Sequence, residues 1–173
     1  MIYLQCTKQV RRMLGVDKEE LRLAPEAESI LGNWSANYIP IGSRNALLFM
    51  SDRSLLSFPI MEGKLPFQMQ DMPTFLGHGL SLLMKMTDLP EGRYARILTD
   101  MDEVALTKAG NQSILGLHRA LAEDYDYRVN RAGGIQRCDL GLVIAAVNQT
   151  PRAKLKFATS FEVARELLTE SAA

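Results

Sequence analysis

Apolar and polar positions along this chain change period several times, and each change predicts a different element. Ile2-Tyr3-Leu4-Gln5-Cys6 is short, partly β-branched and aromatic, and reads as a first strand. A helical turn follows, with Thr7 as its cap, Val10, Met13 and Leu14 at helical spacing, and Gly15 at the left-handed exit. Asp17-Lys18-Glu19-Glu20 matches a capping box for a brief helix that Pro25 stops. From Trp34 the period becomes two, with runs Trp34 to Ile41, Ala46 to Met50 and Ser54 to Ile60, separated by polar turns. These runs predict a three-stranded antiparallel meander.

The second half reads mainly as helix. Met72, Leu76, Leu80 and Leu83 share one face of a helix over residues 70 to 86, in which Gly77 and Gly79 suggest either close packing or a break. Asp88 and Glu91 resemble a further capping box, starting a helix through Tyr94, Ile97 and Leu98. Glu103 to Lys108 alternates as a strand, and Asn111 caps a long helix whose apolar stripe is Ile114, Leu117 and Leu121, stopped at Gly133-Gly134. Asp139 to Val147 predicts another helix, and Thr159-Ser160-Phe161-Glu162 is a capping box for a last one. The expected fold is α+β: a small antiparallel sheet, made of the meander plus the N-terminal strand and one later strand, packed against five to six helices. Residues 1–173 are expected to form a single domain.

Composition narrows the function classes. The chain is 47% hydrophobic and 23% charged, which is ordinary for a globular protein and excludes disordered and fibrous classes. Twenty basic residues balance twenty acidic ones, so the global positive field of a non-specific nucleic-acid binder is missing. No apolar run reaches membrane-spanning length, and the N-terminus has no basic segment followed by an apolar one; a cytosolic location without membrane association is expected. Cys6 and Cys138 are expected to remain thiols there.

Strong catalytic motifs are absent: there is no phosphate-cradling Gly-rich loop, dinucleotide fingerprint, nucleophile elbow, zincin pair or paired CxxC. The most informative segment runs from Thr107 to Gly116, where a strand ends in small and polar residues as a helix begins. Free amides at a helix N-terminus attract anions, and Lys108, Asn111 and Ser113 would complete an anion contact. The same residues also make an ordinary capped turn. His78 and His118 lack a partner at ligand spacing, so no metal site and no cofactor are expected. His118 reads as an acid, a base or a surface hydrogen-bonder, and Asp100, Asp102 and Glu103 as a solvated acidic turn in preference to a divalent-ion contact. Cys6 beside Lys8 reads as a buried thiol or a low-pKa thiolate. Lys8, Arg11, Arg12, Arg44 and Arg53 would bind nucleic acid only if they formed one face. Trp34 and Asn37 open the meander, the indole N–H being expected on a nearby carbonyl.

Cys6-Thr7-Lys8, Asn33-Trp34-Ser35-Ala36-Asn37, the hairpin from Leu47-Leu48-Phe49 to Leu55-Leu56-Ser57-Phe58, and the Thr107 to Gly116 segment together resemble a family of small bacterial domains of unknown function. The likeness spans nearly the whole chain. Family members carry an Asn-Arg-Ser-Val-Leu-Gly-like version of the last segment followed by Met-Asn-Asp, where this chain has Leu117-His118-Arg119. The resemblance implies a compact bacterial cytosolic domain, brings no activity or substrate with it, and directs attention to Trp34, Asn37, Thr107, Lys108, Asn111, Ser113 and Gly116. The expected function is a non-enzymatic binding or interaction module for a protein partner or a small anionic ligand. The alternative is a small hydrolase or transferase acting on a phosphorylated or nucleotide-like substrate, with Lys108 and Ser113 on the anion and His118 or Cys6 for proton transfer or attack.

Overall fold

Five strands form one mixed sheet in the order β4-β3-β2-β1-β5 in the computed structural model, which describes residues 1–88, 91–99, 104–110 and 112–170. β2 (Trp34–Ile41), β3 (Arg44–Ser51) and β4 (Ser57–Met61) are the expected antiparallel meander. β3 is longer at both ends than its apolar run, because the tight turn at Gly42 and Ser43 brings Ile41 directly opposite Arg44. The third strand starts later than expected, since Ser54 and Leu55 are consumed in a turn closed by Ser51 Oγ accepting from the Ser54 amide. β1 (Ile2–Cys6) lies parallel to β2, and β5 (Val104–Lys108) lies parallel to β1. The long stretches between β1 and β2 and between β4 and β5 make these parallel ladders sterically accessible. The fold is thus α+β.

Among the described residues six helices accompany the sheet: α1 (Lys8–Leu14), α2 (Met72–Met86), α3 (Glu91–Thr99), α4 (Gln112–Arg131), α5 (Leu140–Asn148) and α6 (Ser160–Glu170). Their ends follow local chemistry. Thr7 Oγ1 accepts from the Val10 amide, Gly15 takes the left-handed conformation at φ 68°, and Asp139 caps α5 through the Leu142 amide. At α6, Thr159 N–H donates to Glu162 and Glu162 N–H donates to Thr159 Oγ1, a reciprocal box that holds the Glu162 carboxyl below its ordinary pKa. The box expected at Asp17 does not form: residues 18–20 make only a 3₁₀ turn without a side-chain cap bond. The chain is drawn instead into extended backbone, where Leu23 bridges Lys108 of β5. The Asp88 to Glu91 box rests in part on residues outside those described.

Side chains alternate across the sheet, so register assigns each residue to a face. Leu4, Cys6, Trp34, Ala36, Phe49 and Phe58 share one face and form its apolar floor. Phe49 and Phe58 stack with centroids 5.0 Å apart, and Trp34 tilts against Phe58 at 5.9 Å. Helix α2 lies on this floor at Gly79, where a Cβ would come within 2.0 Å of the Phe58 ring; of the two readings of the helical glycines, close packing is the one realised there. The opposite face carries Thr107, Gln5, Ser35, Met50 and Ser57, each directly beside the next across all five strands. Four of those five are polar, and all four are buried. Helix α4 covers this row. Tyr125 of α4 hydrogen-bonds both Ser57 Oγ and the Ser57 carbonyl.

Helix α5 closes the sheet beside β4. The Asn148 side chain accepts from the Ser57 amide at 2.9 Å and donates to the Ser57 carbonyl at 2.8 Å, as a neighbouring strand would. Two residues on, β4 carries Pro59. Asp124 of α4 binds Arg128 at 2.7 Å and Arg152 at 2.6 Å, tying α4 to the segment after α5. Among the described residues no helix is long and apolar enough to cross a membrane.

Candidate functional site

β1 and β5 end at the same level, with Cys6 opposite Lys108, and each then leads towards a helix, α1 or α4. β2 continues past the end of β1, so residues beyond Ala36 lose that neighbour. A cleft of about 570 Å³ opens there, between the upper part of β2, Gln9 of α1 and one stripe of α4. Its lining includes Asn37, Ile39, Leu115, Arg119, Glu123 and Asp126.

Asn37 is the best-defined polar group in this cleft. It is only 7% exposed, and its Oδ1 accepts from Thr7 Oγ1 at 2.7 Å while Thr7 in turn accepts from the Val10 amide. The α1 cap therefore orients the Asn37 amide, leaving Nδ2 without a partner among the described residues. Arg119 is exposed and forms no ion pair among the described residues. Asp126 Oδ1 accepts from the Gly42 amide at 2.7 Å, which pins the far end of the cleft to the β2–β3 turn.

The other sequence candidates fall elsewhere. Trp34 is fully buried, three residues from Asn37 and hence on the opposite face of the sheet; its Nε1 has no partner among the described residues, contrary to the expected carbonyl bond. Lys108 shares the face of Cys6 and Trp34, whereas Thr107 shares that of Asn37. Ser113 is exposed on the first turn of α4, as is Gly116 one turn later. Asn111, and the acidic group Asp100, Asp102 and Glu103, lie outside the described residues. Arg44 opens β3 and Arg53 lies in the turn after its end at Ser51, about 23 Å of strand away at the usual rise per residue, so the five cations make no single face.

His118 is not at the surface. It is fully buried beneath α4, with Nε2 2.8 Å from Ser35 Oγ. The Ser35 hydroxyl also lies 3.3 Å from the Met50 carbonyl, and His118 Nδ1 has no partner among the described residues. Burial lowers the His118 pKa to about 4, so the ring is neutral at pH 7. Cys6 is buried on the other face, and burial pushes its thiol up to about 12 despite the nearby Arg11 guanidinium. Of the two readings of Cys6, its burial favours the thiol. With the sheet between Cys6 and His118, the joint catalytic site is excluded.

Sequence reasoning missed Arg119, Glu123 and Asp126. The available signal was their spacing with Leu115, which puts all four on one stripe of a long helix beside the buried stripe Ile114, His118, Leu121, Tyr125 and Val129. Among the described residues no group of three or more His, Cys, Asp or Glu side chains is arranged to hold a metal ion.

Fold and cleft define an α+β domain with a mixed five-stranded sheet and a ligand-sized crevice at the carboxyl ends of its parallel strands. The chain belongs to DUF6933, a domain of unknown function, whose family model matches residues 3–163. No curated protein and no solved structure matches the chain.

Proposed function

We propose that this domain is a non-enzymatic binding module that holds a small anionic ligand in the cleft between β2 and α4. The observation that carries the reading is Asn37, nine-tenths buried, with its acceptor engaged by Thr7 and its two N–H donors left for a ligand oxygen. Arg119 supplies the cation on the facing wall. Position supports the same reading, because ligands of open sheets bind outside the carboxyl ends of parallel strands. The contact expected at Lys108 and Ser113 is reassigned to Asn37 and Arg119, since Lys108 leaves β5 on the other face. The cleft lining contains no Ser, Thr, Cys, Lys or His, so the groups that the hydrolase or transferase alternative assigned to the anion, to proton transfer and to attack lie outside it. A bacterial, cytosolic setting goes with this proposal and rests on the family likeness and the two free thiols.

A thermal-shift series with inorganic phosphate, nucleotides and small carboxylates tests it, because a ligand of the folded state raises apparent stability by mass action. The expected result is a rise in Tm that is lost in Asn37→Asp, which keeps the Thr7 acceptor but replaces the donors with a negative charge, and in Arg119→Gln. Lys108→Ala and Ser113→Ala should retain it. No rise with any anion would overturn the proposal, and a rise lost only in Lys108→Ala would return the contact to the β5–α4 turn.

A further inference from the structure

The two ends of the cleft differ in charge. Along the α4 stripe, Leu115 and Arg119 are followed by Ala122, Glu123 and Asp126. At 1.5 Å rise per residue, Glu123 lies about 6 Å and Asp126 about 10 Å from Arg119 along the axis. None of the three makes an ion pair among the described residues. Arg119 precedes Glu123 at i,i+4, which is the weaker order for a helical ion pair and leaves both available. Asp126 is held by the Gly42 amide and by Asn130 Nδ2, so Glu123 is the carboxylate free to meet a ligand. Between the charged ends the lining is apolar, formed by Ile39, Pro40 and Ala122.

Resting on the proposed anion contact, we infer that the ligand is dipolar: its carboxylate meets Asn37 and Arg119, its methylene stem lies on Ile39 and Ala122, and its cationic group meets Glu123. The chemical class is a basic amino acid or a short peptide ending in one. An inorganic anion would leave the apolar middle and the acidic end empty, and a simple polyamine would leave the Asn37 donors unused. A cleft of this volume lies within the range that accommodates a ligand of such size.

The test compares four probes on the full chain by thermal shift and calorimetry: L-arginine, the dipeptide glycyl-L-arginine, N-acetylglycine as the anion alone, and agmatine as the cation alone. Glycyl-L-arginine is expected to bind at least tenfold more tightly than either single-ended probe. Glu123→Gln should weaken it about tenfold while leaving N-acetylglycine unchanged, and Asn37→Asp should abolish both. Glu123 is exposed, so its substitution leaves the core intact, and an unchanged ligand-free Tm verifies this. If N-acetylglycine binds as tightly as glycyl-L-arginine, the dipolar inference falls while the anion site stands. If agmatine alone matches the dipeptide, or if no probe binds, both fall.

Discussion

The two faces of the sheet are built on different principles. Under α2 the face is aromatic and aliphatic, with Trp34, Phe49 and Phe58 packed against each other and against a glycine of the covering helix. Under α4 it is a row of buried polar side chains, of which Ser35 and Ser57 find hydroxyl, imidazole and carbonyl partners, and that row adjoins the cleft. An apolar face gains stability from area and contact and tolerates no change of volume. A polar face gains less, but directional bonds fix where each helix sits, and so where Asn37 and the α4 stripe face one another.

Substitutions should separate these roles by magnitude. The largest loss is expected for Trp34→Ala, about 4 kcal/mol by urea denaturation, because a fully buried ring is replaced by a cavity. Gly79→Ala comes next at about 3 kcal/mol, since its methyl group would overlap the Phe58 ring; an unchanged midpoint would show that α2 can lift off the sheet freely.

The polar face should show itself in pH dependence. His118 binds a proton near pH 6.5 when unfolded but only near pH 4 when folded, so the unfolded state gains protons first as pH falls and stability drops. Between pH 6.5 and pH 5 the expected loss is about 1.5 kcal/mol relative to a His118→Gln variant measured over the same range. Parallel profiles would mean that the imidazole is not sealed. The smallest effect is expected for Thr7→Val, about 1 kcal/mol, from loss of the α1 cap. That variant sharpens the comparison, because it should weaken ligand binding more than its stability cost suggests once Asn37 is free to rotate.

What the sequence revealed and what it hid follow from range. Thr7 with Gly15, Asp139, and Thr159 with Glu162 act within one turn of chain, and each forms as its local pattern predicts. The meander was legible because alternation and turn residues specify antiparallel neighbours. The Asp17 box failed because a distant strand competes for the same segment through Leu23 and Lys108. That β1 lies between β2 and β5 with both parallel is not encoded in any short window. Asn37 was picked out, but its separation from Trp34 by the sheet itself, and its place in one cleft with Arg119, depend on contacts between residues far apart in sequence. His118 looked like a surface group because imidazole is polar; its place at four-, three- and four-residue steps among Ile114, Leu121 and Tyr125 is the pattern of burial.

The way Asn148 and Pro59 finish β4 bears on how the protein behaves in a crowded solution. An outermost strand ordinarily offers a ladder of unpaired amides and carbonyls that can recruit a second chain and seed fibrils. Here the side chain of Asn148 already occupies the Ser57 positions of that ladder, and Pro59 has no N–H to offer at the next outward step. The strand is thereby denied as a template for growth, and concentrated samples should resist aggregation until α5 detaches and exposes Ser57.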